Sequence, residues 1–288
     1  MYYLVRGLSL LARVAPLRLS YAVARALGFL AYVAWTGGRQ RAVENMRRVT
    51  GGDERLSRTY ARRSFQNYAV YLVDFLRFLH EDETSVRRRV IFDRWDELEA
   101  QRTGHGIVFM TMHFGNWDLG AAILALRGFP ISAIADSFSN ARLDRLVVGS
   151  RRHLGMHVIP AGRTGPDVLR ALRRNDVVAM LVDIPQRSGV RVTFFGHTIA
   201  VPDGPARIAL RAGASVVAAA LPRLHPWDDR VRAEVAPVSF TPSGDAERDV
   251  QGLTQAVFTQ LEQFVRRDPA QWYIFRRLWL PDDERQIV

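Results

Sequence analysis

The chain has 288 residues, 48% hydrophobic and 24% charged, which suits one large globular domain or one with a small appendage. It has no cysteine, which excludes disulfides, a thiolate nucleophile and a cysteine-ligated metal. All 40 basic residues are arginine, which excludes a lysine Schiff base and a lysine phosphate loop, and the formal charge of +11 calls for acidic partners: anionic membrane, phosphorylated substrate, acidic carrier or nucleic acid.

Residues 1–36 are apolar but interrupted by Arg6, Arg13, Arg18 and Arg25. The longest uncharged stretch, residues 26–38, is shorter than the ~20 residues a bilayer span needs. No small-residue cleavage site follows a clean apolar core, so no secretory signal is expected. Arginines spaced among Leu, Tyr and Phe predict two helices lying in a membrane interface, broken at Ala15-Pro16. A helical hairpin packed on the domain is the alternative. The expected division is an interfacial segment, 1–38, and an α/β domain, 39–288.

Residues 39–48 are basic and helical, and Gly51-Gly52-Asp53 is a break. Residues 54–80 read as one long helix, with Phe65, Tyr68, Leu72, Phe75, Leu76 and Leu79 on one side as core. Arg87, Arg88 and Arg89 read as a solvated basic face. Strands and helices then alternate. Strands are predicted at 90–92, 106–112, 131–135, 157–160, 177–182, 215–221 and 230–238. Helices are predicted at 93–102, 117–127, 140–154, 165–174, 205–212 and 245–267. Residues 191–195 and 198–201 pair around Gly196-His197, and 271–279 form a last aromatic helix. This pattern predicts an α/β fold with a mixed, largely parallel central sheet and helices on both faces.

His113 ends the apolar run 106–112. Gly115 and Asn116 are a turn pair that lets backbone approach a ligand. Asp118 follows in the first turn of the next helix. A tight turn can fold that carboxylate onto one imidazole nitrogen, which leaves the other free to take a proton. Asp183 also directly follows a buried strand, so it and His113 can converge on one crevice. The bland alternatives are a structural His–Asp pair and a turn aspartate before Pro185. Backbone amides near Gly115 and Asn116 are candidate oxyanion donors. Arg187, Arg191 and Arg207 are candidate phosphate contacts.

The stretch His113-Phe-Gly-Asn-Trp-Asp118 resembles the H-x4-D/E signature of the membrane-associated lysophospholipid acyltransferases. The nearest branch holds the lipid A late acyltransferases and the phosphatidylinositol mannoside acyltransferases. Val182-Asp183-Ile-Pro-Gln186, Val192-Thr-Phe-Phe-Gly196 and Pro202-Asp-Gly-Pro-Ala-Arg207 resemble that branch's later blocks, in order. The likeness spans about residues 20–280. It implies acyl transfer from acyl-CoA or acyl carrier protein to a lipid hydroxyl, with His113 as base and Asp118 as its orienter. It also implies an arginine role for Arg151, an acidic role for Asp183, and an acceptor-side loop at Phe194, Phe195 and Gly196. His197 stands where the mannoside-acylating branch leads one to expect an acid. The aromatic stripe of the long helix is then an alternative lining for an acyl channel.

No G-x-S-x-G elbow is present, so direct transfer is expected rather than a covalent acyl-enzyme. No cofactor and no metal are expected, since H-E-x-x-H is absent. No RNA-binding motif is visible, so nucleic acid is not an expected partner. The expected place is the cytoplasmic face of the cell (inner) membrane, with the oligomeric state open. Two rivals remain: a hydrolase using the same pair, and a non-catalytic membrane-surface binding protein.

Overall fold

A computed structural model describes residues 1–135, 139–160 and 164–280. It opens with α1 (Tyr2–Val14), α2 (Leu17–Ala34) and α3 (Thr36–Val49), and α1 breaks from α2 at Ala15-Pro16. The boundary expected at residue 38 falls inside α3. All three pack on the long α4 (Glu54–Phe78). Gly28 lets α2 lie against it: a Cβ there would stand 2.6 Å from the Phe65 carbonyl oxygen.

After α5 (Glu83–Arg89), β1 (Val90–Ile91) and α6 (Trp95–Glu99) comes β2 (Ile107–Gly115). The rest of the chain is α7 (Trp117–Leu126), β3 (Ile131–Ala135), α8 (Ala141–His153), β4 (His157–Pro160), α9 (Thr164–Arg173), β5 (Val177–Leu181), β6 (Val190–Phe194), β7 (His197–Val201), α10 (Gly204–Ala212), β8 (Ser215–Leu221), β9 (Val231–Arg232), β10 (Glu234–Pro237) and α11 (Ala246–Arg267). The central sheet has the order β10-β8-β2-β5-β3-β4. Its pairs are parallel except β10 with β8. The fold is therefore the expected α/β class with a largely parallel central sheet.

Strand β2 runs through the middle and is buried on both faces, which explains its unbroken apolar sequence. Val108, Met110, Met112 and Phe114 face one core, with Leu253 and Val257 of α11. Ile107 and Phe109 face the other, with Leu119 and Ile123 of α7. His113 shares the odd-numbered face, so it sits on the α7 side.

Two expectations need correction. Residues 271–279 are not a helix. A 3-10 turn at Pro269–Gln271 leads into a strap bridged to Phe114 through Trp272 and to Ile199 through Trp279. Here burial of Trp272, Ile274 and Leu278 and pairing to strand edges outweigh helix propensity. Nor is the basic run 87–89 wholly solvated. Arg89 is 1% exposed and meets Asp74, Glu81 and Asp229.

Asp74 is the centre of that ionic cluster. Tyr21 of α2 donates to it at 2.5 Å, and Arg223, just past β8, bonds it as well. Burial alone would raise the Asp74 pKa, but Arg223 and Arg89 hold it below the usual carboxylate range. Removing one partner of a buried ionic group leaves the others uncompensated. Asp74→Ala is expected to cost ~3–5 kcal/mol or abolish folding, read by urea denaturation. A loss within experimental error would contradict a stabilising role for the cluster.

Candidate active site

The site begins with strand register. Thr111 of β2 lies beside Leu181 of β5, and the Val182 amide still donates to the Thr111 carbonyl at 2.9 Å. Two residues further on, His113 and Asp183 are neighbours on the same face. On its other side β2 spends Thr111 to Gly115 where β8 spends only Ala219 to Leu221. This irregularity frees the end of β2 from strict pairing, as bulges beside active sites do.

His113 Nδ1 lies 2.8 Å from Asp183 Oδ1. The carboxylate also accepts the His113 backbone N–H at 3.1 Å and the Trp272 indole N–H at 3.0 Å. Asp183 is fully buried, and its three donors account for its ionised form. Burial would raise its pKa, but His113 and these hydrogen bonds bring it down. For His113 burial pulls the pKa down, and Asp183 more than reverses that, so the imidazole pKa is raised. The second ring nitrogen, Nε2, has no partner among the described residues. The Tyr273 amide donates to the His113 carbonyl at 2.8 Å, so the strap also fixes this residue.

The expected contact between Asp118 and His113 is not made. Asn116 caps α7 by accepting from the Leu119 amide, so Asp118 is the second helical residue and turns toward α4 and α8. There it accepts from Tyr71 at 2.9 Å and from Arg151 at 2.9 and 3.2 Å. Asp183, not Asp118, is the acid in contact with the imidazole. A register argument across two strands could have found this; local spacing could not.

Gly115 and Asn116 hold the turn. Gly115 has φ +64°, and a Cβ there would stand 1.9 Å from the Leu221 carbonyl oxygen. The Asn116 amide donates to that same carbonyl at 3.0 Å, so it is not the oxyanion donor expected of it. The Asn116 side-chain amide donates to Asp74 at 3.2 Å. The first-turn amides of Trp117 and Asp118 are the donors that α7 itself leaves over.

A cavity of about 810 Å³ adjoins His113. Thr111, Phe109, Ala179 and Ala219 on the sheet and Trp117, Gly120 and Ala121 on α7 line it. Tyr68, Tyr71, Leu72 and Phe75 of α4 close another side, so part of the aromatic stripe does face a cavity. Arg151 and Asp118 reach it too. Its lining is mostly apolar with a few convergent polar groups, the usual character of a small-molecule site.

Phe194, Phe195, Gly196, His197 and Arg207 are not in the cavity wall. Phe194 is wholly buried against Phe258 and Trp272, and Phe195 packs under the Arg266 guanidinium. Gly196 closes the β6–β7 turn, and His197 lies 3.5 Å from Arg48. Arg207 bonds Asp203 and Glu247, which neutralises the charge proposed for a phosphate. Phe194 and Phe195 are thus held in packing contacts and Arg207 in ion pairs. Among the described residues no three His, Asp or Glu side chains gather as a metal site.

The His113–Asp183 pair yields a titration test. With the carboxylate present, His113 titrates above its ordinary ~6.5. Asp183→Asn removes the charge but keeps the shape, so burial then dominates and the imidazole titrates below ~6.5. NMR of the imidazole protons against pH reads the change, and an unmoved midpoint would refute the coupling. The sign for stability is also fixed. The raised histidine contributes below its unfolded pKa and loses its contribution as pH rises through the folded value. The lowered Asp183 contributes above its unfolded pKa and loses its contribution as pH falls through the folded one.

The profile of the bacterial lipid A biosynthesis acyltransferases matches residues 1–281. A phosphatidylinositol mannoside acyltransferase of Mycolicibacterium smegmatis is 30% identical over 269 residues, covering 88% of this chain and 84% of the relative. One of the same name from Mycobacterium tuberculosis is 29% identical over 262 residues, covering 87% and 80%. With a match along nearly its whole length, the chain belongs to the bacterial lipid A biosynthesis acyltransferase family and is a lipid acyltransferase.

Proposed function

We propose that this protein is a peripheral membrane O-acyltransferase. It moves a fatty acyl chain from an acyl-CoA or acyl carrier protein thioester to a hydroxyl of a glycolipid or phospholipid of the phosphatidylinositol mannoside or lipid A kind. The observation that carries the reading is a histidine with Nδ1 held by a buried carboxylate and a cavity at its side. The names of the relatives support the choice of acceptor.

In this mechanism Nε2 of His113 takes the proton of the acceptor hydroxyl as its oxygen attacks the thioester carbonyl. The new C–O bond gives a tetrahedral oxyanion. Amides in the first turn of α7 and the cavity-lining Arg151 guanidinium, held by Asp118, are the stabilisers this reading assigns to it. The C–S bond then breaks, and the imidazolium returns its proton to the leaving thiolate. Asp183 stabilises the imidazolium between the two steps. The acyl chain occupies the apolar cavity. No separate cofactor enters.

Membrane attachment is supported by α1 and α2. Tyr21, Ala24 and Gly28 bury one face of α2, while Leu19, Val23, Leu27, Leu30 and Val33 stand exposed. Tyr3, Leu4, Leu8 and Leu11 extend the apolar surface along α1. Helix α2 is long and apolar enough to cross a bilayer by length and composition. Its buried face and interspersed arginines favour lying in the interface, with charges at the phosphates. The expected seat is the inner leaflet.

His113→Ala is expected to lower transfer by ~10²–10⁴, the usual worth of a general base. Product is read by mass spectrometry with palmitoyl-CoA and a phosphatidylinositol mannoside, while vesicle binding persists. Unchanged transfer would remove His113 from the mechanism. Acyl release to water at a rate indifferent to the acceptor would instead make the protein a hydrolase. Leu27→Asp with Leu30→Asp is expected to release the protein from anionic phospholipid vesicles in a flotation assay. Undiminished flotation would place the membrane face elsewhere.

A further inference from the structure

The cavity extends well beyond the reacting groups. Its wall follows β2 from His113 through Thr111 to Phe109. The four residue steps from His113 to Phe109 span about 13 Å at strand rise. In the same direction α7 returns from Trp117 to Leu124.

The middle of this passage is lined by small residues. Ala179 of β5 is flanked by Phe109 on β2 and Ala133 on β3, three strands inside a six-stranded sheet. It and Ala133 are nonetheless only half-buried, because both line the cavity. Helix α7 faces them with Gly120 and Ala121.

At its far end the passage meets Phe92, Trp95 and Leu98. Trp95 is held edge-on by Phe92, with ring centroids 4.6 Å apart, and lies 6.2 Å from Phe129. The exposed Arg127 guanidinium stands over the indole at 4.7 Å. Trp95 thus lines the apolar cavity while an exposed cation stands against its indole.

We infer that Trp95 is a specificity-determining residue: its indole ends the acyl passage and sets the longest chain the enzyme transfers efficiently. The inference rests on the acyl-transfer reading above. A chain that stops short of the floor leaves apolar wall uncovered. One that is too long must displace the indole from its aromatic seat or pull the thioester away from His113. A methylene gained or lost in such a pocket is worth roughly 10–200-fold in kcat/KM.

The test is a competition among decanoyl-, myristoyl-, palmitoyl- and stearoyl-CoA for one phosphatidylinositol mannoside acceptor, with products resolved by mass spectrometry. The wild-type protein is expected to favour one length. Trp95→Ala opens the floor, and the preferred length moves up, by at least about tenfold in the ratio of long to short products. Ala179→Leu fills the middle of the passage, and the preference moves down. It needs no change at the floor, so it carries the test if the tryptophan variant fails to fold. Active variants that both keep the wild-type profile overturn the inference and leave the acyl-transfer reading standing. A wild-type protein that transfers none of the four chains overturns both.

Discussion

A single buried carboxylate fixes His113 beside the cavity. Asp183 accepts the His113 ring, the His113 backbone amide and the Trp272 indole. These three donors come from two distant stretches of chain, so the anion joins the end of β2 to the C-terminal strap. A carboxylate with so many donors stays ionised despite its burial, and an ionised partner keeps the imidazole in one orientation. The parallel register of β2 and β5 makes this possible, because it puts residues of equal advance side by side on one face. Without that register neither the tautomer of His113 nor its aim at the cavity would be defined.

The two faces of β2 serve different ends. One carries large side chains into a close-packed core under α11. On the other, Thr111, with Ala179 and Ala219 of the neighbouring strands, lines the cavity beside α7. Such space is costly in stability, since empty apolar volume forfeits contacts. A second buried polar cluster lies nearby. Asp74 ties α2 and α4 to the turn after β8 and reaches Asn116, the residue that starts α7. The helix with the apolar outer face and the helix beside His113 are thus joined through one anion.

The arginine-rich composition divides into two populations. Some guanidinium groups work inside the protein: Arg89 and Arg223 on Asp74, Arg151 on Asp118. Arg207, by contrast, is exposed in sequence and structure alike but is occupied by two acids. Net charge therefore reports on acidic partners only after such internal pairs are set aside.

Much was legible from residues alone. Apolar periodicity placed α4, α7, β3, β5, β8 and α11, and Ala15-Pro16 marked the N-terminal break. Strand-end position singled out both His113 and Asp183. Closeness in sequence points to Asp118 as the partner of the imidazole. Three-dimensional pairing favoured Asp183, seventy positions away, because a helix start turns its second residue aside while adjacent parallel strands align theirs. Likewise Phe194 and Phe195 resemble a family block by sequence, yet their side chains fill a core. Local pattern determined which segments are strands and helices and which residues are chemically able to react, since those depend on near neighbours. Which acid meets which base, and which segments together enclose an apolar cavity, depends on contacts between stretches remote in the chain, and only the tertiary structure decided them.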